Sequence, residues 1–157
     1  MATKTSFQCR HAKTSDALQI AEFQAMMALE TEEIRLDSLT LEKGVAAVFK
    51  DPSMGTYWVV QNSTDEVVAS TLVLKEWSDW RNGEVWWIHS VYVLPQFRRQ
   101  GVFRLIYESL KAHVAANPQL RGLRLYVEKQ NSSGISTYRD LGMSDDRYAL
   151  FEWMKDY

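Results

Sequence analysis

Phe7 and Cys9 alternate with Gln8 and Arg10 at the start of Phe7–Ala12, while Tyr57–Gln61, Val67–Lys75 and Glu84–Leu94 are short apolar runs rich in aromatic and β-branched residues. Stretches of this length and composition, bounded by polar turns, predict strands. Asn62–Glu66 is a polar turn that lets the third run pair back on the second, and Ser78–Gly83 is a polar connection into the fourth. Elsewhere the period lengthens. Ala17, Ile20, Ala21, Phe23, Gln24, Met27 and Ala28 give Ser15–Leu29 an apolar helical side, with Thr14 ahead of it as an N-cap. A second helix is predicted from a cap at Ser38 or Thr40 through Phe49, ended by Asp51–Pro52. Val102, Leu105, Ile106 and Leu110 share a third helical stripe, broken at Asn117–Pro118. Leu123–Val127 then reads as a strand, Ser132–Leu141 as a short helix closed by Gly142, and Tyr148–Trp153 as a last strand.

Three consecutive strands favour antiparallel meanders, whereas strands joined through helices favour parallel pairing. The expected fold class is therefore α/β with α+β character: one mixed central sheet flanked by helices on both faces. At 157 residues the chain suits a single domain, residues 1–157, with a sizeable core. A formal net charge of −2 argues against a nucleic-acid-binding face. The single cysteine, Cys9, excludes an internal disulfide and fits a reducing compartment; in a strand it reads as packing. MATKTSFQCRH lacks an apolar signal core, and no run approaches the roughly 18 apolar residues of a membrane span. The expectation is a cytoplasmic protein without a membrane partner.

Val91–Lys111, VYVLPQFRRQGVFRLIYESLK, carries the first chemical signal. A strand ends at Pro95, a basic turn with one glycine follows, and a helix begins. The amides of a first helical turn point outward at the positive end of the macrodipole, which favours an anion. Gly101 lets a phosphate approach the backbone, or the turn is a surface loop with solvated arginines; the residues alone leave both open. Neither GxxxxGK[ST] nor GxGxxG is present. Val-x-Pro-x-x-Arg-x-Gln-Gly-Val, however, strongly resembles motif A of the GNAT N-acetyltransferases. Arg98, Arg99, Gln100, Gly101 and Val102 match the pattern that holds the pyrophosphate of acetyl-coenzyme A in that family. Phe103 stands where the family usually has a small residue.

Asn131–Met143, NSSGISTYRDLGM, resembles a second family pattern through Asn131, Gly134, Tyr138, Gly142 and Met143. The two motifs at this separation extend the resemblance over nearly the whole chain. It implies acetyl-coenzyme A as donor substrate and cofactor binding by Arg98, Arg99, Gln100, Gly101, Phe103, Arg104 and Asn131. The strand backbone of Val91 and Val93 is implied for the pantetheine arm. Tyr138 is implied as the acid that protonates the departing thiolate.

Acetyl transfer to an amine needs a base for the ammonium proton, a donor for the thioester oxygen and an acid for the thiolate. It requires no metal, and no HExxH or CxxC pattern occurs. Alternation along Glu84–Val93 puts Val85, Trp87, His89, Val91 and Val93 on one face. His89 is the candidate base, its ordinary pKa of about 6.5 suiting proton transfer near neutrality, or else a hydrogen-bonded core histidine. Glu84 and Glu128 are weaker candidates, and His11 and His113 peripheral. Met26 and Met27 are core filler or the lining of a flexible pocket. Trp77, Trp80, Trp86, Trp87 and Tyr92 are strand packing, with one or two rings available to wall an acceptor site. Glu30, Glu32 and Glu33 are a solvated helix end or the mouth of an amine site. The expected function is an N-acetyltransferase acting on a small-molecule or protein amine. The alternative is a non-catalytic acyl-coenzyme A sensor or scaffold. A homodimer is expected from the family resemblance and the abundant aromatics.

Overall fold

The computed structural model describes residues 6–155. In chain order the elements are β1 (Phe7–His11), α1 (Ala17–Glu32), α2 (Ser38–Lys50), β2 (Thr56–Asn62) and β3 (Val67–Ser78). They continue with β4 (Gly83–Val93), α3 (Val102–Ala116), β5 (Leu120–Arg124) and α4 (Ser132–Asp140). The chain divides into two compact units, the first ending at Arg124 and the second beginning at Leu125. No described helix is long and apolar enough to cross a membrane.

The first unit holds a five-stranded sheet in the order β1-β2-β3-β4-β5. The first three pairings are antiparallel, and β5 runs parallel to β4 after the α3 crossover. The sheet is mixed, as expected, and helices cover both of its faces. On β2, Tyr57 and Val59 meet Ile20 and Ala21 of α1 and Val45 of α2. One residue along, Trp58 turns to the other face and meets His113 of α3 edge-on, ring centres 5.8 Å apart. Trp86 of β4 stacks on the same histidine at 5.1 Å. Val59 and Val60 are both fully buried, so β2 is covered on both sides.

Helix starts differ in detail from the sequence expectation. Thr14 lies in a 3-10 turn, Thr14–Asp16, and Asp16 takes the N-cap position of α1. The buried Asp16 carboxylate accepts from Arg10 at 2.8 Å and from the Lys13 amide at 2.7 Å. Asp37, rather than Ser38 or Thr40, caps α2, its carboxylate accepting from the Thr40 amide at 2.8 Å.

Strand β5 starts three residues before the expected Leu123 and stops at Arg124. Its start is pinned to the β3–β4 connection. Arg121 donates to the carbonyls of Arg81 and Asn82, and the Glu84 amide donates to Gln119 O at 2.9 Å. Gly83 has no room for a Cβ, which would stand 2.7 Å from Gln119 O and from Arg121. The expected strand at 148–153 is not formed. This mostly apolar run has no ladder partner among the described residues, and Phe151 and Trp153 are 93% and 87% exposed.

Two histidines couple this packing to pH. His11 lies on Trp58 with ring centres 3.8 Å apart. Burial, then the neighbouring His113, lowers its pKa, and burial alone lowers that of His89. Because the unfolded chain takes up these protons more readily, the stabilisation is complete above about pH 6.5 and lost as pH falls below it. The melting temperature should therefore drop between about pH 6.5 and 5, ahead of any carboxylate effect. His11→Phe, which keeps a ring on Trp58, should flatten part of that slope. A melting temperature constant over this range would contradict the assignment.

Candidate active site

The site begins with an irregularity in β4. Leu72 of β3 faces His89, but Ser70 faces Tyr92, so β4 carries one extra residue between them. Ser90 takes it up with a positive φ of 52°. The bulge is anchored from both neighbours. Thr71 Oγ1 donates to His89 O at 2.8 Å, and Gln24 Nε2 of α1 reaches Ser90 O at 3.5 Å. Both are polar residues in the buried core, and the kinked carbonyls are what satisfy them.

The extra residue inverts the facing of all that follows. Val85, Trp87 and His89 do share the α1 side of the sheet, as alternation predicts. Val93 instead pairs with Ala69 and faces the α3 side, while Tyr92 joins the α1 side and meets Phe23 at 5.4 Å. The expected single face from Val85 to Val93 is thus interrupted at Ser90–Val91. Burial holds the half-buried His89 imidazole below the ordinary histidine range, so it is neutral at pH 7.

Past the bulge, β4 has an open edge. Its pairing with β5 covers only Glu84–Trp87. Leu94 donates to Val68 O on the β3 side at 2.9 Å. Alternation therefore turns the amide and carbonyl of Val93 to the opposite edge. The Val93 carbonyl accepts there from Arg98 Nε at 2.8 Å.

From this edge the chain turns through Pro95–Phe97 into α3. Arg99 and Gly101 both adopt left-handed backbone, φ 61° and 81°. Gly101 is the N-cap of α3, which has no side-chain cap, and the first helical bond runs from the Leu105 amide to Gly101 O at 3.0 Å. The first-turn amides thus have no acceptor within the helix. A Cβ on Gly101 would meet no atom within 4 Å, so space stands open above the turn. This arrangement is a cradle for an anion. Arg99 and Arg104 are exposed beside it, so the charge and the open amides suit a phosphate group. Because Gly101 needs its left-handed φ, a β-branched replacement would strain the fold as well as fill the space.

Arg98 does something the sequence did not indicate. Its guanidinium bonds Glu30 at 2.8 Å and lies over the Tyr92 ring, 5.4 Å from the centroid. The Tyr92 hydroxyl donates to the other Glu30 oxygen, also at 2.8 Å. Burial opposes the Glu30 charge, but the bonds from Arg98 and Tyr92 outweigh it and lower its pKa. Glu30 is therefore part of the loop's support rather than an isolated solvated acid.

In the second unit, Asn131 caps α4, Oδ1 accepting from the Gly134 amide at 2.9 Å. A Cβ on Gly134 would come within 2.7 Å of the Asn131 side chain, which explains a glycine at that spacing. At the other end Gly142, φ 89°, donates to Arg139 O, and Met143 donates to Tyr138 O at 3.0 Å. That pair of bonds is a Schellman closure. Tyr138 is half-buried, and burial raises its hydroxyl pKa, so it remains protonated at neutral pH.

The other candidates lie elsewhere. Glu84 accepts from Trp86 Nε1 near the start of β4. Glu128 bonds the Gln130 amide before α4. His11 and His113 face each other on the α3 side, 6.4 Å apart. Burial raises the Cys9 thiol, which suits packing more than nucleophilic attack. Trp77 and Trp80 are exposed, whereas Trp87 bonds Glu76, which also pairs with Arg124 at 3.0 Å. Among the described residues, no group of three or more His, Cys, Asp or Glu is arranged to hold a metal.

The fold has counterparts in known proteins. A possible acetyltransferase from Clostridium difficile 630 is 38% identical, with a TM-score of 0.88, over 96% of this chain and 99% of that one. Two more distant structures share the fold. A predicted acetyltransferase with acetyl-CoA from Clostridium acetobutylicum is 15% identical, with a TM-score of 0.72, covering 94% of this chain and 96% of its own. Glucosamine-6-phosphate N-acetyltransferase from Arabidopsis thaliana is 18% identical, with a TM-score of 0.71, covering 96% and 99%. No curated protein sequence matches the chain. A sequence model described as acetyltransferase (GNAT) family matches residues 18–143, from α1 through the end of the Tyr138 motif. This chain belongs to the GNAT acetyltransferase family.

Proposed function

We propose that the chain is an acetyl-coenzyme A-dependent N-acetyltransferase, moving the acetyl group to a primary amine by direct attack. The observation that carries this reading is the left-handed Gly101 turn, open above, joining the exposed edge of β4 to the start of α3. Acetyl-coenzyme A, when bound, supplies the acetyl group as a thioester whose carbonyl carbon the amine attacks, releasing the thiolate. Residues 99–104 bind the pyrophosphate through backbone amides, and the edge of Val91 and Val93 aligns the pantetheine arm as an added strand. His89, neutral at pH 7, takes the proton that the ammonium must lose before attack, directly or through water. The Tyr138 hydroxyl gives a proton to the sulfur and regains the one that the attacking nitrogen sheds as the amide forms, and Asn131 borders the cofactor arm. The family match runs through both units, which supports residues 1–157 working as one domain.

Gly101→Asn tests the phosphate site, because asparagine tolerates a left-handed φ while its side chain fills the open space. Coenzyme A affinity measured by calorimetry should fall about tenfold or more, the worth of one hydrogen bond to a charged group. Unchanged affinity in the folded variant would move the phosphates elsewhere.

Tyr138→Phe keeps the ring and removes the proton. With acceptor saturating, turnover should fall by ~10²–10⁴-fold while coenzyme A affinity holds. Equal turnover would assign thiolate protonation to water or another group.

His89→Gln should lower turnover and remove an acidic limb lying below the ordinary histidine pKa, the direction in which burial moves it. A limb that shifts with the pKa of the acceptor amine and survives in His89→Gln would assign the proton loss to substrate. Coenzyme A binding with no thiol release for any amine tested would instead favour the sensor reading.

A further inference from the structure

We propose that Glu30 and Tyr92 are positioning residues for the phosphate-binding turn, acting through Arg98; the proposal rests on reading residues 99–104 as the coenzyme A site. Arg98 stands at the first position of the phosphate pattern, yet its side chain is turned back onto the protein. Nε holds the Val93 carbonyl, one terminal nitrogen holds Glu30, and the guanidinium covers Tyr92. Tyr92, 4% exposed and packed on Phe23, closes the ring by donating to Glu30. Three elements are thereby joined: the end of α1, the end of β4 and the turn.

The turn needs such a support. Arg99 follows Arg98 directly and carries a left-handed backbone that an L side chain adopts at a cost. With the preceding residue bonded on two sides and stacked on a third, that strained geometry is held before any anion arrives, so less ordering is left to the binding step. The Arg98 and Glu30 side chains are 42% and 41% exposed, so the ion pair alone contributes little. The contribution lies in the network. Arg98 is already immobilised by Val93 and Tyr92, and Glu30 accepts from two partners at once.

Glu30→Gln tests the proposal, with coenzyme A as the probe. Its dissociation constant and the KM for acetyl-coenzyme A should rise about two- to fivefold, as for loss of a partly exposed ion pair. Turnover at saturation should be retained. Amides 98–104 should exchange faster with solvent in the ligand-free protein. Tyr92→Phe, which keeps the ring under Arg98, should move affinity the same way by less. In an Arg98→Gln background, Glu30→Gln should add nothing further. Unchanged or tighter binding, the latter meaning that Glu30 competes with phosphate for Arg98, would overturn the proposal, as would an additive loss in the double variant. If the parent protein itself fails to bind coenzyme A, the reading of the site falls. Amide exchange still decides the positioning role, and equal rates in Glu30→Gln would overturn it.

Discussion

One extra residue in β4 sets the geometry on which the rest of the site depends. The bulge at Ser90 reverses the facing of the strand, so that His89 and Tyr92 share a face although three positions apart. It survives in the core because Thr71 and Gln24 supply hydrogen bonds to the carbonyls that the kink displaces. A bulge without those donors would leave polar backbone buried and unpaired, at a cost comparable to a lost hydrogen bond. Two polar residues in the core are therefore what the kinked strand end is bonded to.

That strand end and the helix following it form one device. β5 pairs with β4 only as far as Trp87, which leaves the Val93 backbone facing outward. The chain then needs two left-handed residues within three positions to enter α3 with its amides facing the same region. Glycine meets that need at 101, while Arg99 does so under restraint from the Arg98–Glu30–Tyr92 network. Acyl transfer suits such a construction, because much of the work is to hold a long, charged donor along an edge and leave its thioester exposed to a nucleophile.

Much of this was legible in the residues. Short apolar runs between polar turns located β1 to β4, apolar stripes located α1 and α3, and a cap with the Asp51–Pro52 stop located α2. Gly101, Gly134 and Gly142 mark a left-handed cap, a close approach and a Schellman closure, all local features that spacing encodes. The bulge was not legible, since Ser90 fits an alternating pattern as well as it fits a break in one. Thr71 and Gln24, polar positions inside apolar runs, were the available signal. The partnership of Glu30 with Arg98 spans 68 positions and has no local signature. The 148–153 segment is apolar enough for a strand but finds no neighbour among the described strands, which a pattern along one chain does not report.

We propose that coenzyme A lies along the end of β4 and over the start of α3. Following backbone amide resonances during titration with coenzyme A tests it residue by residue. The largest shifts should fall at Val91, Val93 and residues 99–104, with the β1–β2 edge unaffected. Saturable binding whose shifts leave 91–104 unmoved would contradict it.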